Sequence, residues 1–219
     1  MKTGELLRFT LLGDGSSDRA LIPVLSWLIR DIAGSIPLEP QWADLGPLLP
    51  SEKPLQQRVR KAMDYYPCDL LFVHRDAELP DAYMNRAEEI NRACTGLAEQ
   101  HRGLKSVCVI PVRMTEAWLL FDEPAIRRAA GNPRGRNALN LPPRRQMETV
   151  HAKDILHQAI RDASALTGRK AKKLEVSRAI HVVADFIVDF SPLNQLPSFS
   201  RLRAELKAAL DSMGLLRPD

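Results

Sequence analysis

Acidic residues follow three apolar segments of this sequence. The segment LLFVHRDAE ends in Asp76 and Glu78, the segment LLGDGSSD contains Asp14, and Glu116 comes shortly after KSVCVIPV. Like charges held close together repel unless a cation lies between them. Carboxylate oxygens suit Mg²⁺ or Mn²⁺, which polarise a phosphoryl group and lower the pKa of a bound water. The pattern therefore predicts a metal site that is also catalytic, formed by Asp14, Asp76, Glu78 and Glu116.

Each of these acids also has a simpler interpretation. Asp14 lies between two glycines and suits a turn or a helix N-cap, whereas Asp76, Glu78 and Glu116 suit the first turn of a helix. His74 adjoins the acidic cluster, and a structurally hydrogen-bonded ring is favoured there over acid–base chemistry. Because all the acids follow predicted strands, the joint pattern favours a shared site.

Other catalytic and metal-binding patterns fit poorly. The turn GDGSSD lacks the lysine of a phosphate-binding P-loop, and no GxSxG sequence is present. Cys68, Cys94 and Cys108 form no CxxC pair and suit buried thiols in a reducing compartment.

The elements that must position the acids follow an alternating order. Apolar runs that end near Leu12, His74 and Val109, with a weaker one in LEPQWADL, predict strands separated by helices. Continuous rather than alternating apolar runs indicate strands covered on both faces, as in a parallel sheet. We therefore expect an α/β core over residues 1–131, with a mostly parallel sheet flanked by helices. Residues 132–219 are expected to form a basic loop and a helical half packed on that core.

The distribution of charge suggests an anionic partner. The net charge is only +4, but residues 127–145 hold six arginines and no acid, and GRKAKK follows at 168–173. Such clusters bind phosphate backbones, although a solvated loop and a helix end explain each cluster equally well. The expected nucleic-acid contacts are Arg134, Arg136, Arg144, Arg145, Lys153, Arg169, Lys170, Lys172 and Lys173.

Three short motifs resemble those of the Toprim domain. They are the acid-Gly-x-x-Asp turn at Asp14, the Asp-x-acid pair at Asp76 and Glu78, and the segment PVRMTEAWLLFDEPAI around Glu116. This last segment resembles a bacterial family of Toprim-like proteins, the DUF4276 family. The resemblance implies a Rossmann-like Toprim core with Mg²⁺ at clustered carboxylates. It also implies kinship with nucleases that work beside an ABC-type ATPase in anti-phage (antiviral) defence systems.

Two departures from that resemblance bear on the function. Asp14 stands where Toprim proteins usually have Glu, and Glu78 stands where the pair usually ends in Asp. The leading hypothesis is a Mg²⁺-dependent hydrolase, a nuclease acting on the phosphodiester bonds of DNA or RNA. The alternative is a non-catalytic Toprim-fold interaction or sensor subunit that works with a partner ATPase.

Composition predicts a globular cytoplasmic protein. Hydrophobic residues make up 45% of the chain and charged residues 26%, enough of each for a core and a solvated surface. No apolar run approaches the roughly 20 residues that span a bilayer, and the N-terminus lacks a signal-peptide pattern. A membrane partner is therefore not expected.

Overall fold

Four parallel strands form the sheet at the centre of the protein. The computed structural model describes residues 6–49, 52–101 and 103–216. The strands are β1 (Leu7–Leu12), β2 (Leu38–Trp42), β3 (Leu70–His74) and β4 (Lys105–Val109). Their order is β2-β1-β3-β4, and every neighbouring pair is parallel. The predicted α/β class with a parallel sheet is therefore confirmed, and the arrangement is consistent with a Rossmann-like fold.

Helices cover both faces of this sheet. They are α1 (Leu21–Ala33), α2 (Leu55–Tyr65), α3 (Tyr83–Cys94), α4 (Leu97–Gln100), α5 (Glu123–Ala129), α6 (Ala152–Ser164), α7 (Gly168–Lys172), α8 (Val176–Phe186) and α9 (Pro197–Ser212). Short 3-10 helices at Ser16–Ala20 and Thr115–Leu119 follow the loops after β1 and β4. Both 3-10 helices lie where sequence periodicity predicts the start of an α-helix.

The alternation of side chains along β3 explains its continuous apolar run. Leu70 and Phe72 lie in the core cluster that includes α1 and the helical half, whereas Leu71 and Val73 lie in the cluster with α2 and α3. Successive residues of a strand point to opposite faces, so a strand buried on both faces is apolar throughout.

The C-terminal helices contribute to the same core as the sheet. Trp118 packs edge-on against Phe199 of α9, with ring centroids 5.2 Å apart. Glu205, also on α9, accepts a hydrogen bond of 2.8 Å from the backbone N–H of Cys108 on the edge strand β4. The residues of 132–219 described here thus complete one face of the sheet and cover part of its β4 edge.

The sequence LPDAYMNRAEEINRACTGLAEQ predicts one long helix, which is divided in the structure. The segment 79–100 forms a 3-10 turn, then α3, then α4, with Gly96 between the two α-helices at φ 81°. A left-handed residue ends a helix, and glycine adopts that conformation at little cost.

The described helices are not of the membrane-spanning type. Across 6–49, 52–101 and 103–216, none is long and apolar enough to cross a bilayer. Residues 1–5, part of the stretch that lacks a signal-peptide pattern, lie outside the described residues.

Candidate functional site at the carboxyl edge of the sheet

The loops after β1, β3 and β4 meet at one edge of the sheet. Leu12 pairs with Val73 and His74 pairs with Val109, so these three parallel strands end side by side. Ligands of open α/β sheets bind beyond the carboxyl ends of the strands. The chain therefore brings the segments that contain Asp14, Asp76 and Glu116 to one edge, as the sequence predicts.

A buried histidine lies at the centre of this edge. His74 is 1% exposed, and its Nε2 is 3.2 Å from Asp76 Oδ1 and 3.1 Å from Thr115 Oγ1. Its Nδ1 is 3.2 Å from Asp18 Oδ2, an ion-pair contact that lies off the N–H direction and makes no regular hydrogen bond. Burial alone would lower the pKa of His74, but Asp18 and Asp76 together raise it to about 9. The ring is therefore an imidazolium at neutral pH.

Asp18 links this histidine to the turn after β1. Its Oδ2 accepts hydrogen bonds from the backbone N–H groups of Asp14, at 2.8 Å, and of Gly15, at 2.9 Å. Burial would raise the pKa of Asp18, but the contact with His74 and these N–H donors lower it. A Cβ on Gly13 would meet Asp18 Cβ at 2.8 Å and Trp42 Cη2 at 2.7 Å, so this turn requires glycine.

Asp14 is bound by two arginines. Its Oδ1 accepts hydrogen bonds from Arg58 Nη1 at 2.7 Å and from Arg75 Nη1 at 2.9 Å. Arg58 also donates to the carbonyl of Gly13, and Arg75 Nη2 lies 3.1 Å from Glu89. The charge of Asp14 is thus compensated within the fold.

Glu78 lies apart from the buried histidine. Its side chain is 79% exposed, and its described ion pair is a contact of 3.8 Å with Arg86. Its backbone has φ 46°, a left-handed conformation uncommon for residues other than glycine. Arg86 Nε in turn donates to the carbonyl of Asp76 at 3.2 Å.

Glu116 is a half-buried carboxyl beside other acids. Burial raises its pKa, and the charges of Asp76 and Asp18 raise it further, whereas Lys153 lowers it. Glu116 therefore lies within electrostatic range of both aspartates and of one lysine expected to contact nucleic acid.

The donor set fits a divalent ion only in part. Among the residues described, no group of three or more His, Cys, Asp or Glu side chains is placed to hold a metal. Asp14 is occupied by arginines and Glu78 faces solvent, so the expected four-acid set is not assembled. Asp76 Oδ1 lies 3.2 Å from His74 Nε2, and the charge of Asp76 acts on Glu116. These two fit Mg²⁺, which proteins often hold with one or two carboxylates, water and substrate phosphates.

The basic residues expected to bind nucleic acid lie on the surface. All of them are exposed, and the ion pairs found within the described ranges include none of them. Arg127, in the same arginine-rich segment, is instead 8% exposed and pairs with Glu123.

Sequence reasoning missed several residues at this edge. Arg58 comes from α2, and no local pattern connects it with Asp14, which lies 44 residues earlier. Arg75 and Thr115 are direct neighbours of predicted site residues, so their positions were a usable signal. Trp42, at the end of β2, was assigned only to a weak strand.

Comparison with family models, with curated proteins and with solved structures finds no match to this chain.

Proposed function

We propose that this protein is a metal-dependent nuclease that hydrolyses phosphodiester bonds in DNA or RNA. The observation that supports it is that Asp76 and Glu116 follow neighbouring strands and lie within electrostatic range of each other at the carboxyl edge. Burial and the charges of Asp76 and Asp18 raise the pKa of Glu116, because they disfavour a further negative charge at this edge. A divalent cation between the two carboxylates removes that conflict.

The residues of the chain have separate tasks in this proposal. Asp76 and Glu116 would hold Mg²⁺ or Mn²⁺. The bound ion would polarise the phosphoryl group of the substrate and lower the pKa of a bound water. His74 fixes one oxygen of Asp76, and the other oxygen would bind the ion. Lys153, whose charge already acts on Glu116, offsets charge on the scissile phosphate.

Substrate binding is assigned to the exposed basic residues. Their charges are not neutralised by described ion pairs, and a phosphate backbone supplies the matching charge. The proposal includes the cytoplasm as the place of action, since the three cysteines suit a reducing compartment. It also includes an anti-phage defence system as the setting, by the resemblance to Toprim-like proteins.

The test compares the wild type with Asp76→Asn and Glu116→Gln on labelled DNA and RNA in Mg²⁺, Mn²⁺ or EDTA. We expect metal-dependent cleavage by the wild type and a loss on the order of a hundredfold or more in each variant. Asp64→Asn is the matched control, because Asp64 is an exposed acid near the end of α2, which leads to the opposite end of β3. Absence of cleavage, with no Mg²⁺ or Mn²⁺ binding by calorimetry, would contradict the proposal.

One observation favours a second candidate, a non-catalytic interaction or sensor subunit that works with an ABC-type ATPase. Asp14, the position that the resemblance assigns to an essential acid, is held by two guanidinium groups. In that case calorimetry detects no divalent ion, and the ATPase rate of the partner changes on adding this protein. An unchanged rate in the presence of a binding-competent partner would eliminate this candidate.

A further inference from the structure

A cavity of about 370 Å³ lies beside the acidic edge, between the carboxyl ends of β1 and β2. The turn after β1 forms one wall, residues 42–46 and Leu48 form another, and Lys53 and Arg58 approach from the side of α2. Its volume falls within the range of about 300–1,000 Å³ that is usual for small-molecule sites.

Trp42 provides an aromatic wall of this cavity. Its ring edge abuts the backbone of Gly13, which leaves no room for a Cβ there. The side chain is half-buried and also lines a second cavity on the side of α8. A ring supported in this way loses little freedom on binding, and a flat partner can stack on it.

Two cations lie on another wall. Arg58 is mostly buried and keeps its orientation through Asp14 and the carbonyl of Gly13. Lys53 is exposed, and its ammonium group makes no ion pair with the residues that the structure describes. Lys53 is therefore the cation available to an incoming anion, and Arg58, whose charge Asp14 already offsets, has a fixed orientation beside it.

We propose that this cavity binds a nucleotide unit, with the base against Trp42 and the phosphate at Lys53 and Arg58. Asp44 and Ser16, which also line the cavity, supply acceptors for sugar hydroxyls or base N–H groups. The inference goes beyond the proposed function, because binding here requires neither a metal ion nor bond cleavage. The unit belongs either to a free nucleotide or to a single strand.

The test measures binding to the full chain in EDTA, where a nuclease of the proposed kind is inactive. The probes are AMP, GMP, CMP and UMP, and short single-stranded DNA and RNA, titrated by calorimetry. Trp42→Leu removes the stacking surface, and we expect it to weaken binding about fivefold or more, the lower end for loss of one stacked base. Trp42→Phe is expected to fall between Trp42→Leu and the wild type.

Lys53→Met keeps the test decisive if Trp42→Leu fails to fold, because Lys53 is exposed. We expect at least a threefold loss in Lys53→Met and none in Arg60→Met, its control. Arg60 is an exposed cation of α2 that does not line the cavity.

Mononucleotide binding as tight as strand binding identifies a free nucleotide as the ligand, whereas binding of strands alone identifies a strand segment. Both results support the proposal if Lys53→Met weakens the binding. No binding of any probe, or an unchanged affinity in folded Lys53→Met or folded Trp42→Leu, would overturn it. A protein that binds but never cleaves leaves this inference standing while the nuclease proposal fails.

Discussion

The acidic edge of the sheet and the basic surface of the C-terminal half handle charge in opposite ways. At the edge, Asp18 and Asp76 contact a buried imidazolium, and Asp14 contacts two guanidinium groups. On the surface, the basic residues of 134–173 are exposed and outside the described ion pairs. The charges of Asp14, Asp18 and Asp76 are therefore balanced by the fold, whereas those on the surface are balanced by salt or by an anionic partner.

Charges in the two regions therefore contribute differently to the stability of the fold and to the binding of a partner. A buried charge that loses its partner destabilises the folded state, because the fold cannot rehydrate it. An exposed cation in water contributes little to stability but increases affinity for a polyanion. We therefore expect substitutions at the edge mainly to lower the free energy of unfolding. Substitutions on the surface should mainly weaken the binding of nucleic acid.

The largest effect is expected for His74→Leu. The substitution leaves Asp18 buried without its cation, and removal of one partner from such a pair costs about 3–5 kcal/mol. Urea unfolding at pH 7 measures the loss. His151→Leu is the control, because His151 is exposed. If the free energy of unfolding falls by less than about 1 kcal/mol in His74→Leu, the charge of this ring does not stabilise Asp18 and Asp76 in the folded state.

The pH dependence of unfolding tests the same contribution of His74 to stability. The pKa of His74 is about 9 in the folded chain, above its ordinary 6.5. Its protonated form therefore stabilises the fold fully below pH 6.5, and this contribution disappears as the pH rises through 9. We expect the free energy of unfolding of the wild type to fall by roughly 3 kcal/mol over this interval. The decrease should be missing in His74→Leu; an equal decrease in both proteins would assign it to other groups.

The two regions also differ in how far the sequence predicts them. Apolar runs buried on both faces predict the parallel sheet, and a parallel sheet fixes where its strands end. Asp14, Asp76 and Glu116 could therefore be assigned to one edge without coordinates. The expected hydrogen-bonded ring at His74 is also confirmed by its contacts with Asp76 and Thr115.

The partners of these acids were not predictable in the same way. Which side of α2 faces the edge depends on how that helix packs, so Arg58 could not be connected with Asp14. Glu78 differs for another reason: its backbone is left-handed and its side chain is exposed, and no sequence pattern signals that conformation at a glutamate. The exposure of the basic residues could be predicted from residue type alone, because charged side chains are seldom buried.

An intermediate effect is expected on the basic surface. Arg144→Gln with Arg145→Gln should leave stability nearly unchanged and weaken binding of nucleic acid. If both contact phosphates, the slope of log affinity against log salt becomes shallower by about 2. The paired substitutions Arg60→Gln and Arg92→Gln, on exposed sites of α2 and α3, are the control for net charge. The same change of slope in the control would mean that only net charge matters.

The smallest effect on stability is expected for Glu175→Gln, which tests whether an exposed charge contributes to the stability of the fold. Glu175 lies 3.7 Å from Arg178, and the two side chains are 72% and 85% exposed. A pair this exposed contributes less than about 0.5 kcal/mol, so urea unfolding should not distinguish the variant from the wild type.

The same carboxylate lines a cavity together with Lys170 and Lys173, so its neutralisation raises the local positive potential. We therefore expect slightly tighter binding of nucleic acid at low salt, an effect that disappears at high salt. A measurable loss of stability instead would show that surface charges, like those of the edge, are balanced within the fold.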